Sequence, residues 1–175
     1  ANERSPAFVA WGSVTDGIEF SIEEEGIDDE ADIESSNDNP DSATLKVEDD
    51  RTESDEFVVH IFDIEVDEDS SDLMLEDAYV WVTVSNPSSA STSITAEDVI
   101  ADIYLTIDGQ KETGDAVGTN HTTAITANSN DRVGFVFEFD GLDLDAGDDF
   151  EAEVSMVFEG QDDYKAYQSG VGITV

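Results

Sequence analysis

Two runs of carboxylates are the residues of this chain whose types and spacing suit chemistry best. The first run, DEDSSD at positions 67–72, contains Asp67, Glu68, Asp69 and Asp72. The second, DGLDLDAGDD at 140–149, predicts a calcium site, because calcium binds about six to eight oxygen ligands, usually from loops. The predicted ligands are Asp140, Asp143, Asp145 and Asp148. Neither run has EF-hand spacing, so the alternative is that the acids are only hydrated and bind no metal.

Residues for enzyme catalysis do not fall into a known pattern. His60 and His121 stand in unrelated contexts, and no nucleophile-elbow, zinc-protease, Walker or dinucleotide-binding pattern occurs. Paired carboxylates could hydrolyse a glycoside, but with 45 acids in the chain such pairs arise anywhere. We therefore predict that the protein is not an enzyme and needs no cofactor, calcium being the only ligand considered. His60 lies on the apolar face of a predicted strand, which is typical of a core or edge histidine.

A glycosylation sequon, Asn120-His121-Thr122, lies in a polar stretch that predicts a loop. Such a triplet accepts an N-linked glycan on a surface loop of a secreted protein. It predicts glycosylation at Asn120 and slightly favours an extracellular location, although triplets of this kind are common by chance.

The charge of the chain limits its partners. Asp and Glu number 45 against 6 Lys and Arg, which gives a formal net charge of −39. This much like charge opposes compaction but is screened in molar salt, where the Debye length is about 3 Å. The composition is similar to that of proteins from extreme halophiles, above all haloarchaea. Without a basic patch we expect no binding to nucleic acid or to an anionic membrane, and no apolar run predicts membrane insertion.

The elements that would position these residues are β-strands. Apolar residues alternate with polar or small ones at 133–139 and again at 152–158, a period of two that places them on one sheet face. We predict that these two runs form an antiparallel hairpin across the acidic connection. Similar patterns predict further strands at 18–23, 43–47, 56–66, 73–85, 99–107, 122–127 and 171–175.

Between the strands the sequence predicts turns and loops rather than helices. Thr95-Ala96-Glu97-Asp98 resembles a capping box that begins one helical turn. Asp108-Gly109 predicts a tight turn, and the polar stretches 24–42 and 110–120 predict surface loops. The whole pattern predicts an all-β fold, a single β-sandwich of about eight to ten strands that is immunoglobulin-like or jelly-roll.

The N-terminal segment SPAFVAWGSV at 5–14 is apolar and uncharged. As a strand it would carry apolar side chains on both faces and would need cover on both. We therefore divide the chain into an N-terminal strand, residues 1–14, and a sandwich domain, residues 15–175. The strand either pairs within its own domain or is donated to a neighbouring subunit. The predicted interface residues are Ala7, Phe8, Val9 and Trp11.

A short turn before a strand, Ala146-Gly147-Asp148, together with the N-terminal strand and the absence of cysteine, resembles the TasA/camelysin-type fibre proteins and the archaeal bundling pilins. The resemblance covers the strands from Val80 onward. It implies assembly by donor-strand complementation, in which the N-terminal strand of one subunit completes the sheet of the next. The class III signal peptide and hydrophobic helix of type IV pilins and archaellins are not found, which argues against those families.

These features predict a structural subunit of an extracellular, pilus-like filament on the cell surface of a halophilic archaeon, with further copies of itself as partners. The alternative is a capsid or other virion protein of a haloarchaeal virus, since a sandwich of this size and composition suits a virion equally well. A start at Ala1 fits either signal-peptide cleavage or loss of an initiator Met. A secreted binding module is the third possibility.

Overall fold

The computed structural model of the protein describes residues 18–22, 31–40, 42, 44, 52–160 and 170–175, the first of these ranges as backbone only. Apart from two 3-10 turns at Ala96–Asp98 and Asn120–Thr122, the regular structure is β-strand. The strands are β1 (Ile18–Ile22), β2 (Ala31–Ser35), β3 (Phe57–Val66), β4 (Leu73–Asn86), β5 (Ile100–Ile107), β6 (Gln110–Thr113), β7 (Asp115–Val117), β8 (Ser129–Leu144), β9 (Asp149–Phe158) and β10 (Gly172–Thr174).

The strands form two five-stranded antiparallel sheets. Sheet A has the order β1-β4-β8-β7, with β10 also paired to β4, and sheet B has the order β2-β3-β9-β5-β6. The buried side chains of both sheets form one hydrophobic core. The predicted all-β sandwich is therefore confirmed, and its strand number lies within the predicted range.

The order of the strands matches the immunoglobulin-like alternative. In that fold strands A-B-E-D form one sheet, and strand F lies between C and G in the other. Here β4, β8 and β7 occupy the positions of strands B, E and D in one sheet. In the other sheet, β9 and β5 occupy the positions of strands F and C. The difference lies beside β9, where β3, which precedes β4 in the chain, takes the place of the strand that would follow β9.

The core is built by the alternation that the sequence shows. In the central part of each long strand every second residue is less than a tenth exposed, and burying a large apolar side chain stabilises the fold by about 1.5–3 kcal/mol. In sheet A these residues are Ala78, Val80, Val82 and Val84 of β4 with Val133, Phe135, Phe137 and Phe139 of β8. In sheet B they include Phe62, Ile64, Val66, Ile103, Leu105, Ile107, Ala152, Val154 and Met156.

The predicted hairpin between 133–139 and 152–158 is wrong. β8 pairs with β4 and β7 in sheet A, whereas β9 pairs with β3 and β5 in sheet B. β8 also continues to Leu144, so only the short turn 145–148 remains, and it crosses from one sheet to the other. Period two identifies the residues that face the core. Because both sheets bury an apolar face of the same kind, the period-two pattern does not show which sheet a strand joins.

Some predicted loops and strands also differ. The stretch 24–42, predicted as a loop, contains β2, a short edge strand in which only Ala31 is buried. The stretch 110–120 contains β6 and β7. The predicted strand at 122–127 is instead a loop with a single bridge from Ile125 to Ile94. The predicted strand at 43–47 lies almost wholly outside the described residues.

Two local predictions are confirmed. The helical turn at Ala96–Asp98 begins with the expected capping box, in which the backbone N–H of Thr95 donates to Oδ2 of Asp98 at 2.8 Å. Asp108 and Gly109 connect β5 to β6 with φ values of 48° and 78°. Both residues are left-handed, as a two-residue hairpin turn requires.

Gly114 lies where the chain passes from sheet B to sheet A. β6 pairs with β5 and β7 pairs with β8, so continuous backbone joins the two sheets along this side. The N–H of Gly114 donates to the carbonyl of Ile103 at 2.8 Å. A Cβ at this position would lie 2.7 Å from the ring of Phe137 and 2.8 Å from Cγ2 of Ile103. Only glycine lets the backbone approach the core this closely.

Candidate functional site: strand edges and acidic turns

One edge of β4 is shared by β1 and β10. β1 pairs with residues from Leu75 to Val80, and β10 pairs with Thr83–Ser85. β8 pairs along the other side of β4, so β1 and β10 lie end to end on one edge. Both are antiparallel to β4, and β10 therefore points toward the start of β1. Between Val80 and Thr83 this edge has only two residues, Trp81 and Val82.

The predicted interface residues Ala7, Phe8, Val9 and Trp11 lie outside the described residues, so their pairing stays a prediction. Their segment joins the sandwich at Ile18, opposite Val80. Because β10 takes the positions from Thr83 to Ser85, that edge of β4 offers no further length to the residues that precede Ile18.

The two carboxylate runs singled out in the sequence meet at one end of the sandwich. The N–H of Gly147 donates to the carbonyl of Val66 at 3.0 Å, and the N–H of Val66 donates to the carbonyl of Asp148 at 3.1 Å. The N–H of Ala146 donates to Oδ1 of Asp72, 74 residues away in the chain, at 3.1 Å. Sequence reasoning treated the runs as separate, because strand pairing between distant segments has no local signal.

No family model, curated protein or solved structure matches the chain. The resemblance to fibre proteins and bundling pilins therefore stays a prediction. In the part of the chain that the structure describes, no helix is long and apolar enough to cross a membrane. Function must be inferred from the geometry and the charges of the molecule itself.

The four predicted calcium ligands divide between a strand and a turn. Asp140 and Asp143 are exposed residues of β8, whereas Asp145 and Asp148 bracket the turn that follows. Among the described residues, no three His, Asp or Glu side chains are grouped closely enough to hold a metal ion. Calcium binding by these four residues stays a prediction.

Asn120, the predicted glycosylation site, is exposed in the 3-10 turn Asn120–Thr122. Its Nδ2 donates to the carbonyl of Arg132 at 3.3 Å, a long bond at the surface. The hydroxyl of Thr122 donates to the carbonyl of Thr119 at 3.0 Å. The sequon is thus at the surface, and its modification stays a prediction.

A polar cluster on the outer face of sheet B centres on Glu56. Its Oε2 lies 2.5 Å from Nζ of Lys111, and its Oε1 accepts a 2.5 Å bond from the hydroxyl of Ser155. The bond from Lys111, followed by that from Ser155, lowers the pKa of Glu56. Burial, together with the nearby Asp102, raises the pKa of Tyr104. Ser155 is only 3% exposed, so a substrate cannot reach its hydroxyl. The cluster joins the segment before β3 to β6 and β9 and is structural.

Both cations within the described ranges, Lys111 and Arg132, lie over aromatic rings. Nζ of Lys111 is 4.0 Å from the ring centre of Tyr104, and Cζ of Arg132 is 4.8 Å from that of Trp81. Trp81 in turn covers Gly134, where a Cβ would lie 2.8 Å from the indole. Sequence reasoning missed these pairs. The rarity of Lys and Arg in the chain was the signal that could have directed attention to them.

His60 lies on the inner face of β3 at the end of the sandwich, stacked on Phe62 with ring centres 6.1 Å apart. Oδ1 of Asn39 accepts the N–H of Ile61 at 3.1 Å, which fixes the orientation of the amide. Nδ2 of Asn39 therefore donates to Nδ1 of His60, 3.1 Å away, and the neutral ring carries its proton on Nε2. This arrangement fits a structural histidine rather than a catalytic base.

Acidification should destabilise the protein through His60. Burial lowers its pKa below 6.5, so the unfolded chain binds a proton more readily than the folded one. The stabilising contribution is fully present above pH 6.5 and is lost as the pH falls through the lowered folded pKa. Protonated Nδ1 also cannot accept the bond from Asn39.

Thermal unfolding at constant high salt, from pH 7.5 down to 5.0, tests this expectation. His60→Gln keeps an acceptor but does not titrate, so its midpoint should fall less than that of the parent. Equal pH dependence in the two proteins would show that other groups are responsible.

Proposed function

We propose that the protein is the structural subunit of an extracellular filament of a halophilic archaeon, and that it polymerises by donor-strand complementation. In this proposal the N-terminal strand of one subunit pairs with a sheet edge of the next. The protein carries out no reaction, and its partners are further copies of itself.

The observation that carries the proposal is the end-to-end arrangement of β10 and β1 on one edge of β4. β10 takes the positions opposite Thr83–Ser85, so only Trp81 and Val82 lie between the two strands on that edge, too short a length for a strand formed by residues 5–14. They form an uncharged apolar stretch that a monomer should not leave in water. An edge strand on another subunit would supply both hydrogen-bonding groups and apolar cover.

The charge of the chain also supports a donor strand of this composition. Two subunits with a formal charge of −39 repel each other. Residues 5–14 contain no Asp or Glu, so a contact made by this segment brings no carboxylate of its own into the interface. The contact is head-to-tail, and it propagates into an open filament unless its rotation closes a ring.

Deletion of residues 1–14 tests the proposal. The core residues that the structure describes run from Ala31 to Phe158 and are all retained on truncation, so the truncated protein should keep its β-sheet circular dichroism and a cooperative thermal transition. It should fail to form filaments in electron micrographs. A peptide spanning Ala1 to Thr15 should bind the truncated protein and raise its melting temperature.

The full-length double variant Phe8→Asp with Trp11→Asp is the matched test without truncation, and it should also block polymerisation. Filaments formed by either variant, or crosslinks from Phe8 and Trp11 confined to their own chain in the native particle, would overturn the proposal. Closed capsids in place of filaments would assign the protein to a virion instead.

A further inference from the structure

Acidic residues are distributed unevenly over the folded protein. They make up 45 of its 175 residues, yet the segments 78–96, 116–130 and 170–175 contain no Asp or Glu. In the fold these segments come together. We call the surface formed by their exposed residues, from Trp81 onward in the first segment and from Val117 in the second, together with the neighbouring Arg132, the acid-free surface.

Hydrogen bonds at the end of β4 hold two of these segments against each other. Ile94 and Ile125 exchange backbone bonds of 3.1 and 2.6 Å. Nδ2 of the buried Asn86 donates to the carbonyl of Thr92 at 3.0 Å and to that of Ile125 at 2.9 Å. The N–H of Asn128 donates to the carbonyl of Asn86 at 3.0 Å. The loops after β4 and before β8 therefore form one continuous end of sheet A.

The outer face of sheet A continues this surface. Across the strands, Trp81 pairs with Gly134, Thr83 with Arg132, and Ser85 with Asn130. Val117 of β7 also pairs with Gly134, and β10 lies beside Thr83 and Ser85. None of these residues is acidic. Asp131, between Asn130 and Arg132, pairs with the buried Val84 and so lies on the opposite face of the sheet.

The other half of the same face is acidic. It begins at the row of Tyr79 and Val136, which is flanked by Glu19 of β1 and Asp115 of β7. The next row pairs Asp77 with Glu138, and Asp143 pairs with Met74 further along. The two acidic turns lie beyond that, at the start of β4. β4 has 14 residues, so roughly 40 Å separates these turns from the acid-free loops. The outer face of sheet A is therefore acidic at one end and free of acids at the other.

The side chains on the acid-free surface are those that protein interfaces favour. Trp, Tyr and Arg are the residue types most enriched among interface residues with large energetic effects. Trp81, which is partly exposed, and Arg132, which is exposed, lie on this face, and Tyr79 lies at its boundary with the acidic half. Val117 adds an aliphatic side chain that is 36% exposed.

We propose that the acid-free surface is where a second copy of this chain packs, each copy contributing the same surface. Carboxylates placed opposite each other across an interface oppose association, and among the described residues this surface places none there. A cationic partner would instead be drawn to the acidic faces, and a polyanion would be repelled by the rest of the molecule. A second copy carries the same acid-free face, which suits a two-fold contact. The inference depends on the proposed self-assembly but concerns a contact other than the N-terminal strand.

Glutamate substitutions in the full-length protein test this contact. Val117→Glu and Ala127→Glu each place a carboxylate on the acid-free surface, one in a strand and one in an exposed loop. Val58→Glu is the matched control, because Val58 is 40% exposed on the outer face of sheet B. Self-association is measured by sedimentation velocity and electron microscopy at the lowest salt that keeps the protein folded.

Each surface variant should raise the dissociation constant for lateral association at least about tenfold, while the control behaves like the parent. Single filaments made by donor strands should persist in Val117→Glu and Ala127→Glu. Conversely, Phe8→Asp with Trp11→Asp should leave weak dimers formed by the acid-free surface. Unchanged association in both surface variants, or equal weakening in the Val58→Glu control, would overturn the inference. A strictly monomeric Phe8→Asp, Trp11→Asp protein would overturn it while leaving the proposed function intact.

Discussion

Transfer of the protein from molar KCl to about 10 mM KCl is expected to unfold it at room temperature. The Debye length rises from about 3 Å to about 30 Å over this range, so carboxylates that were screened from each other begin to repel across the whole molecule. The formal charge is −39, and compaction brings these charges together.

The structure shows where this repulsion is concentrated. The turns 67–72 and 145–148 are bonded to each other through Val66 and Asp72, so their carboxylates are held at one end of the sandwich. The two cations in the described ranges lie away from this end: Arg132 pairs with Thr83 in the second half of β4, and Lys111 binds Glu56, which precedes β3, whereas the turns lie beside the last residue of that strand, Val66. Each already faces an aromatic ring.

Near-UV circular dichroism and the thermal midpoint, followed along a KCl series, measure the effect. A parallel series at 10 mM KCl with added sucrose, which favours compact states without screening charge, is the control. Sucrose should not restore the fold that is lost when salt is removed. The triple variant Glu68→Gln, Asp69→Asn, Asp145→Asn should fold at lower salt than the parent. A thermal midpoint that does not change between molar and 10 mM KCl would contradict the expectation.

Gly114→Ala is expected to destabilise the protein by about 3 kcal/mol, which lowers the melting temperature of a chain of this size by roughly 6–12 °C. The new methyl group would lie 2.7 Å from the ring of Phe137 and 2.8 Å from Ile103. Both side chains are at most 1% exposed, so neither can move into solvent. Either the backbone must move away from the core or the core must repack.

Gly172→Ala is the matched control, since a Cβ there meets only Cβ of Ser85 at an ordinary 3.8 Å. Its melting temperature should stay close to that of the parent. Phe137→Leu removes the ring atoms that the methyl group would strike, so the cost of Gly114→Ala should be smaller in that background. Equal melting temperatures for the Gly114→Ala and Gly172→Ala proteins would show that the core accommodates the methyl group.

The sequence predicted the faces of the strands better than their partners. Val133, Phe135 and Phe137 were placed on one buried face, and they are buried. The pairing of 133–139 with 152–158 was wrong, because β8 pairs along its length with β4, and β9 with β3 and β5, all more than 40 residues away in the chain. Local turn chemistry was sufficient at Asp108-Gly109, where two left-handed residues are required. It was insufficient for β2, whose acidic edge strand looks like a loop.

In the candidate site, too, the sequence identified the residues but not which of them come together. The runs at 67–72 and 140–149 were identified from composition, but their meeting through Ala146 and Asp72 depends on the fold. The absence of acids from 78–96 and 116–130 can be read from the sequence. That these two segments form one surface follows only from the bridge between Ile94 and Ile125.

The edge of β4 also has a consequence for the order of folding. It is completed by β1 and β10, which lie about 60 and 90 residues away in the chain, and such distant contacts form slowly. β10 follows β1 to β9 in the chain, so it leaves the ribosome after all of them. Until it arrives, Thr83–Ser85 present unpaired N–H and C=O groups to the solvent. During synthesis, therefore, this edge of β4 is open to pairing, and we expect the proposed donor strand of a neighbouring chain to compete with β10 there.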